Sequence, residues 1–160
     1  MIAFDSSYQY ANTRGGISRG VELAAAAAPA RSLSLSAAYT FVNAIERSPV
    51  VGDTIQTFVI PRNQFSILAT ERVTMRLSLT FDALVSGSYL APIFGETVTE
   101  VYRFEGLRRL NFGGSYRLPL AEYRALRFFA RADNLLDQAY YESGFPTPGR
   151  TGRAGVEFEF

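Results

Sequence analysis

The sequence predicts an all-β chain: an antiparallel, up-and-down transmembrane β-barrel segment of about eight strands. Three observations point to it. Apolar and polar residues alternate with a period of two in run after run, which puts them on opposite faces of a strand. Short and long connections alternate between the runs, as they do in membrane barrels. Several runs approach ten residues, longer than the about five or six usual in globular sheets and close to the roughly 9–11 that a tilted strand needs to cross a bilayer.

From Ile2 to Tyr10 the even positions form an aromatic-rich face, and Asn12 to Gly16 is a turn cluster. Val21, Leu23, Ala25 and Ala27 alternate with Glu22 in a second strand. Helix competes over Ala24 to Ala28, but five alanines are too few for a stable helix alone and Pro29 ends the run. Leu33, Leu35, Ala37, Tyr39 and Phe41 then oppose Ser32, Ser34, Ser36 and Thr40. A loop is expected over 45–56, and Phe65, Ile67 and Ala69 mark the next strand, ending at Glu71-Arg72. The cleanest alternation runs from Val73 and Met75 through Leu77, Leu79, Phe81 and Ala83 to Val85. After a long loop at 86–99 come strands over Leu110 to Leu118 and Leu126 to Asp133, joined by a short turn at Pro119 to Glu122. A third long connection at 135–150 leads to the last strand, where Gly152, Ala154, Val156, Phe158 and Phe160 share one face.

Composition narrows the function. The net charge is +1, with acids and bases interspersed, which argues against a nucleic-acid footprint. Cysteine and histidine are both absent. Without histidine the commonest general base and metal ligand are gone, so no catalytic residue, metal site or cofactor is expected. Glu157 and Glu159 are a weak signal for paired-carboxylate catalysis. No basic stretch leading into an apolar one follows Met1, and no apolar run is long enough for a transmembrane helix.

The stretch DNLLDQAYYES (Asp133 to Ser143), the loop Gly144-Phe145-Pro146-Thr147-Pro148-Gly149-Arg150 and the closing alternation to Phe160 resemble the carboxyl end of TonB-dependent outer-membrane receptors. Gly20-Val21-Glu22-Leu23, the run from Ser32 to Ala44 and Ile60-Pro61-Arg62-Asn63-Gln64 resemble earlier parts of the same barrels. The resemblance implies that residues 1–160 are the carboxyl-terminal part of a barrel of about 22 strands, without the plug domain or a signal peptide. It implies a receptor for a scarce nutrient such as an iron–siderophore complex, a vitamin or a glycan, not competent for transport alone. The implied partners are outer-membrane lipid, the barrel assembly machinery, the small-molecule ligand and, through upstream regions, TonB. The implied location is the outer membrane of a Gram-negative bacterium. Val156, Phe158 and Phe160 match the terminal signal read by the assembly machinery. Tyr89, Phe94, Tyr102, Tyr140, Tyr141 and Phe145 are candidate ligand contacts in the long loops, or equally girdle and packing residues.

Two other readings stay open. One is a self-contained eight-stranded membrane barrel, closed by pairing of residues 2–11 with 151–160. The other is a soluble barrel with the apolar face inside. On the last two strands, pairing Arg127 with Glu159 sets Asp133 against Arg153, giving two ion pairs that line a lumen.

Overall fold

The computed structural model describes residues 2–4, 10–12, 15–48, 51–94, 99–142 and 145–160, with the backbone alone at 2–4, 10–12 and 99. The elements are β1 (Ile2–Phe4), β2 (Tyr10–Asn12), β3 (Gly16–Ala27), β4 (Leu33–Arg47), β5 (Thr54–Gln56), β6 (Asn63–Arg72) and β7 (Leu77–Ser86). They continue with β8 (Tyr89–Phe94), β9 (Thr99–Phe104), β10 (Arg108–Ala121), β11 (Arg124–Asp133), β12 (Tyr141–Glu142), β13 (Phe145–Pro146) and β14 (Thr151–Glu159).

Seven long strands form one antiparallel sheet in the order β14-β11-β10-β7-β6-β4-β3, and β5 adds to β4. Each long strand lies beside its predecessor, the up-and-down order expected. Short turns follow β3, β6 and β10; long connections follow β4, β7 and β11. All three long connections carry short strands of their own, β5, the β8–β9 hairpin and the β12–β13 hairpin.

The register sorts side chains onto two faces. One carries Val21, Leu23, Tyr39, Phe41, Phe65, Ile67, Leu79, Phe81, Phe112, Tyr116, Phe128, Val156 and Phe158. The other carries Ser34, Ser36, Thr40, Gln64, Ser66, Thr70, Ser78, Thr80, Asp82, Asn111, Arg127, Arg131 and Glu157. Among the described residues the apolar face is largely uncovered: Val21 is 55% exposed and Phe158 52%. Buried apolar residues among those described are only Ala44, Ala83, Ala91, Ala125 and Tyr140. A soluble domain of this length buries most of its large apolar side chains and exposes patches of only a few hundred Å². The dry centre required by a soluble barrel is not formed.

Four expectations are corrected. The run from Ile2 to Tyr10 is not one barrel strand: β1 and β2 fold back on each other, pairing Ile2 with Asn12 and Phe4 with Tyr10, while residues 5–9, including Tyr8, lie outside the described residues. Among the described residues, 2–4 and 10–12 pair with each other and not with 151–160, and β3 and β14 lie at opposite edges of a sheet that does not close. The strand expected from Val73 begins at Leu77. Thr74 makes the difference: its Oγ1 accepts from the amides of Arg76 and Leu77 (3.1 and 2.9 Å), and its own amide donates to the Leu77 carbonyl, closing a tight turn. Alternation runs through such a turn unchanged, and Met75 ends up 97% exposed. Finally, β4 continues to Arg47, and β5 pairs Gln56 with Ile45, so residues 45–47 and 54–56 are strand where a loop was expected throughout 45–56.

The alanine stretch belongs to β3, paired residue for residue with β4 through Ala27–Leu35. Phe129 interrupts the polar face of β11 because Gly155 stands directly opposite it on β14. A Cβ on Gly155 would lie 2.6 Å from Phe129 Cζ, so only glycine leaves room for the ring. Gly155→Val should therefore destabilise the β11–β14 pairing by about 1–3 kcal/mol, read as a lower urea midpoint of the folded, heat-modifiable form. An unchanged midpoint would show that the ring moves aside without cost.

Candidate binding surface at the long-loop end

The hydrophilic face of β7, β10, β11 and β14 carries a ladder of ions. Arg127 Nη1 donates to Glu157 Oε2 (2.9 Å), and Arg117 Nε to Glu159 Oε2 (2.6 Å). Arg131 is shared: Nη2 reaches Asp82 (2.7 Å) across β10, and Nε reaches Asp133 (2.8 Å) on its own strand. Gly113 lies between, and the Arg131 side chain packs over it. The expected pairs Arg127–Glu159 and Asp133–Arg153 are replaced. Arg127 faces Glu157, Asp133 faces Thr151, and Arg153 stands opposite Arg131. The displacement is two residues, which leaves every side chain on its expected face; parity is blind to it, and the fit of Phe129 over Gly155 decides it. The two acids on Arg131 exceed its charge by one, so Arg153 brings that group to neutrality.

The DNLLDQ motif acts as a clip at the long-loop end of β11. Asn134 and Asp137 adopt φ of 53° and 52°, a left-handed region in which Asn and Asp are among the few tolerated side chains. Asn134 is buried; its amide donates to Asn111 Oδ1 (2.9 Å), and its side-chain amide donates to the carbonyls of Gln138 and Pro148. Asn111 in turn donates to Asp82 Oδ2 (2.5 Å), joining the clip to the Arg131 group. The Gln138 side chain donates to the Gly106 carbonyl and accepts from the Arg108 amide. Asp137 accepts from the Arg150 amide (2.7 Å), and a Cβ on Gly149 would crowd that carboxylate. Sequence reasoning missed Asp82, Asn111, Asn134 and Gln138 as one network. The signal available was a buried-strand asparagine, Asn111, on a face otherwise read as solvated.

Next to the clip lies a pocket of about 370 Å³, lined by Val59, Pro61, Tyr89, Glu105, Tyr140, Tyr141 and others. The Tyr89 hydroxyl donates to the Tyr141 carbonyl (2.5 Å), and the Phe104 ring lies 5.5 Å from Tyr89 and 6.1 Å from Tyr141. Tyr140 is buried, with its carbonyl accepting from the Thr147 amide and hydroxyl. Val59 holds φ 63°, a costly conformation for a β-branched residue, secured by its amide donating to the Leu90 carbonyl. Of the six loop aromatics expected as candidates, Tyr89, Tyr140 and Tyr141 come together here; Phe94, Tyr102 and Phe145 do not line the pocket. Tyr102 donates to the Glu100 carboxylate, which raises the phenol above its usual pKa. Aromatic faces, hydroxyls and the carboxylates of Glu105 and Glu142 equip the pocket to hold a ligand. No group of three or more metal-ligating side chains occurs among the described residues.

At the opposite end Val156 and Phe158 lie on the apolar face of β14, and Phe160 follows the strand with its ring stacked on that of Phe158 at 5.9 Å. Phe160 is 95% exposed.

A sheet apolar on one side and hydrophilic on the other, with tight turns at one end and long loops at the other, is the wall of a membrane β-barrel. The family of TonB dependent receptor-like β-barrels matches residues 1–135, and the chain belongs to that family. Its members are receptors and transporters, not enzymes. None of the curated proteins compared with it matches the sequence. Among solved structures it is similar to the siderophore receptor PiuA of Acinetobacter baumannii (TM-score 0.73, 18% identity, 99% of this chain and 24% of that one). It is also similar to BauA, the ferric preacinetobactin receptor of the same organism (0.73, 19%, 100% and 25%), and to the ferric-catecholate import receptor Fiu of E. coli K12 (0.69, 18%, 99% and 23%). At these identities the likeness establishes the fold. The chain spans about a quarter of the length of those receptors. The family match ends at residue 135, before the terminal loop and strand; the structural likeness extends across them.

Two measurements test this geometry. A double-mutant cycle on Arg127 and Glu157 should give a coupling of about 0.2–1 kcal/mol, as half-exposed pairs do, and one on Arg127 and Glu159 should give none. Asn134→Ala should weaken the clip by about 1–3 kcal/mol, seen as lost hydrogen-exchange protection at Arg108 and Arg150 with β10–β11 protection retained.

Proposed function

We propose that this chain is the carboxyl-terminal portion of the barrel of an outer-membrane receptor that takes up an iron–siderophore complex in a Gram-negative bacterium. The observation that carries the reading is the joint arrangement of a one-sided apolar sheet and an aromatic pocket at its long-loop end, in a chain of the TonB-dependent receptor family. The three solved structures named above are a siderophore receptor, a ferric preacinetobactin receptor and a ferric-catecholate import receptor, and this chain aligns with each over almost its whole length.

In this reading the apolar face contacts outer-membrane lipid, the hydrophilic face lines the lumen, and the long loops face outside. Tyr89, Tyr140 and Tyr141 help to capture the ligand, while Phe94 and Phe145 lie further out on the same loops. Val156, Phe158 and Phe160 present the terminal strand to the assembly machinery. Energy from TonB reaches the receptor through regions upstream of these residues, and residues 1–160 alone do not transport. The ion ladder of Arg127, Glu157, Arg117 and Glu159 stiffens the lumen wall. No nucleic acid is involved.

The test uses the intact receptor, titrated with a panel of ferric catecholate, hydroxamate and mixed siderophores and followed by intrinsic tyrosine fluorescence. Saturable binding by one class is expected, with Tyr141→Ala weakening it about three- to tenfold, the worth of one aromatic contact. Binding of a vitamin or glycan in place of every ferric complex would overturn the siderophore assignment.

A further inference from the structure

The charges lining the pocket at the long-loop end are of one sign. Two carboxylates line it, Glu105 from the connection between β9 and β10 and Glu142 from β12, and no arginine does. Glu142 makes no ion pair among the described residues. Glu105 meets Arg108 only at 4.0 Å, with side chains 86% and 64% exposed, and pairs that open to water hold little energy. Arg103, on β9, is engaged elsewhere: its Nη1 donates to Ser88 Oγ (3.4 Å).

The uncharged lining acts in the same direction. Tyr89, Tyr140 and Tyr141 supply rings, and the Phe104 ring lies beside two of them, 5.5 Å from Tyr89 and 6.1 Å from Tyr141. An aromatic face is the negative end of the ring's quadrupole, so it attracts a cation and repels an anion. The side-chain donors that could serve an anion are all neutral, and the Tyr89 hydroxyl among them is already given to the Tyr141 carbonyl. Size narrows the occupant further. About 370 Å³ is at the small end of the roughly 300–1,000 Å³ of ligand sites, room for one arm of a ligand rather than for the whole of a large complex.

Resting on the siderophore reading above, we infer that the pocket receives an ammonium-bearing arm of the ligand, so that the receptor selects cationic ferric hydroxamates over anionic ferric catecholates. The chemistry of the two chelators makes the distinction. A hydroxamate gives up one proton when it binds iron, so three of them neutralise the ferric ion, and a free amine elsewhere on the molecule leaves the complex cationic. A catecholate gives up two, and its complex is strongly anionic. Such a complex meets two carboxylates here with no cation on the pocket wall to offset them. An ammonium group has three donors and no acceptor; Glu105 and Glu142 offer acceptors, and the tyrosine rings hold its charge.

The test uses the intact receptor and a matched pair of probes: the ferric complex of a linear trihydroxamate with a free terminal amine, and the same complex with that amine acetylated. A ferric tris-catecholate is the third probe, and affinities are read by titration calorimetry. The ammonium form should bind roughly three- to thirtyfold tighter than the acetylated form, the worth of a cation on an aromatic face together with an exposed ion pair. The gap should narrow as salt is raised. Glu105→Gln combined with Glu142→Gln should abolish it, and Glu122→Gln, at the short turn after β10, should leave it intact. Equal affinity for the two forms in the unaltered receptor, a preference that persists in the double variant, or tighter binding of the tris-catecholate would each overturn the inference. Binding of none of the ferric complexes would instead overturn the siderophore reading beneath it.

Discussion

Backbone hydrogen bonding in hydrocarbon is the constraint on which the rest depends. Lipid offers no partner to an amide or carbonyl, so each membrane-spanning strand must have its polar groups satisfied by neighbours on both sides. Five of the seven long strands meet this condition here; β3 and β14 each have one neighbour. That imbalance gives the sheet its meaning. In the proposed reading it is a stretch of wall whose two edges pair with further strands, and the similar solved receptors are about four times its length.

The same constraint explains the odd distribution of packing. A soluble sheet buries apolar side chains to hide them from water; this one leaves Val21, Leu23, Phe112 and Phe158 uncovered, and in the function proposed above lipid takes that role. Specific packing is concentrated at the long-loop end, where irregular backbone must be satisfied by side chains. Asn134, Gln138 and Asp137 provide partners for amides and carbonyls that no neighbouring strand reaches. Burial follows: Asn111 and Asn134 are among the few buried polar residues, and both belong to the clip. The pocket of Tyr89, Tyr140 and Tyr141 lies against this braced region rather than on the regular sheet.

The hydrophilic face follows a different rule. Its charges are near-neutral in sum, those on β7, β10, β11 and β14 are partly paired, and one arginine serves two strands by crossing a glycine. Pairs of this exposure contribute little stability each. Their effect is on geometry: they hold long side chains against the sheet.

Strand alternation was legible from residue order alone because it is local: period two assigns faces whatever the neighbours are. The rhythm of short and long connections, and the DNLLDQ–PGR signature, were legible for the same reason, since turn chemistry is written in adjacent residues. Tertiary structure decided what local rules cannot. The two-residue displacement that pairs Arg127 with Glu157 preserves every face, so only the meeting of Phe129 with Gly155 selects it. The turn at Thr74 hides inside an unbroken alternation and is revealed only by hydrogen bonds from Arg76 and Leu77. Folding of β1 onto β2, and gathering of Tyr89 with Tyr141 from positions 52 residues apart, depend on contacts between distant segments, which no single stretch of chain contains.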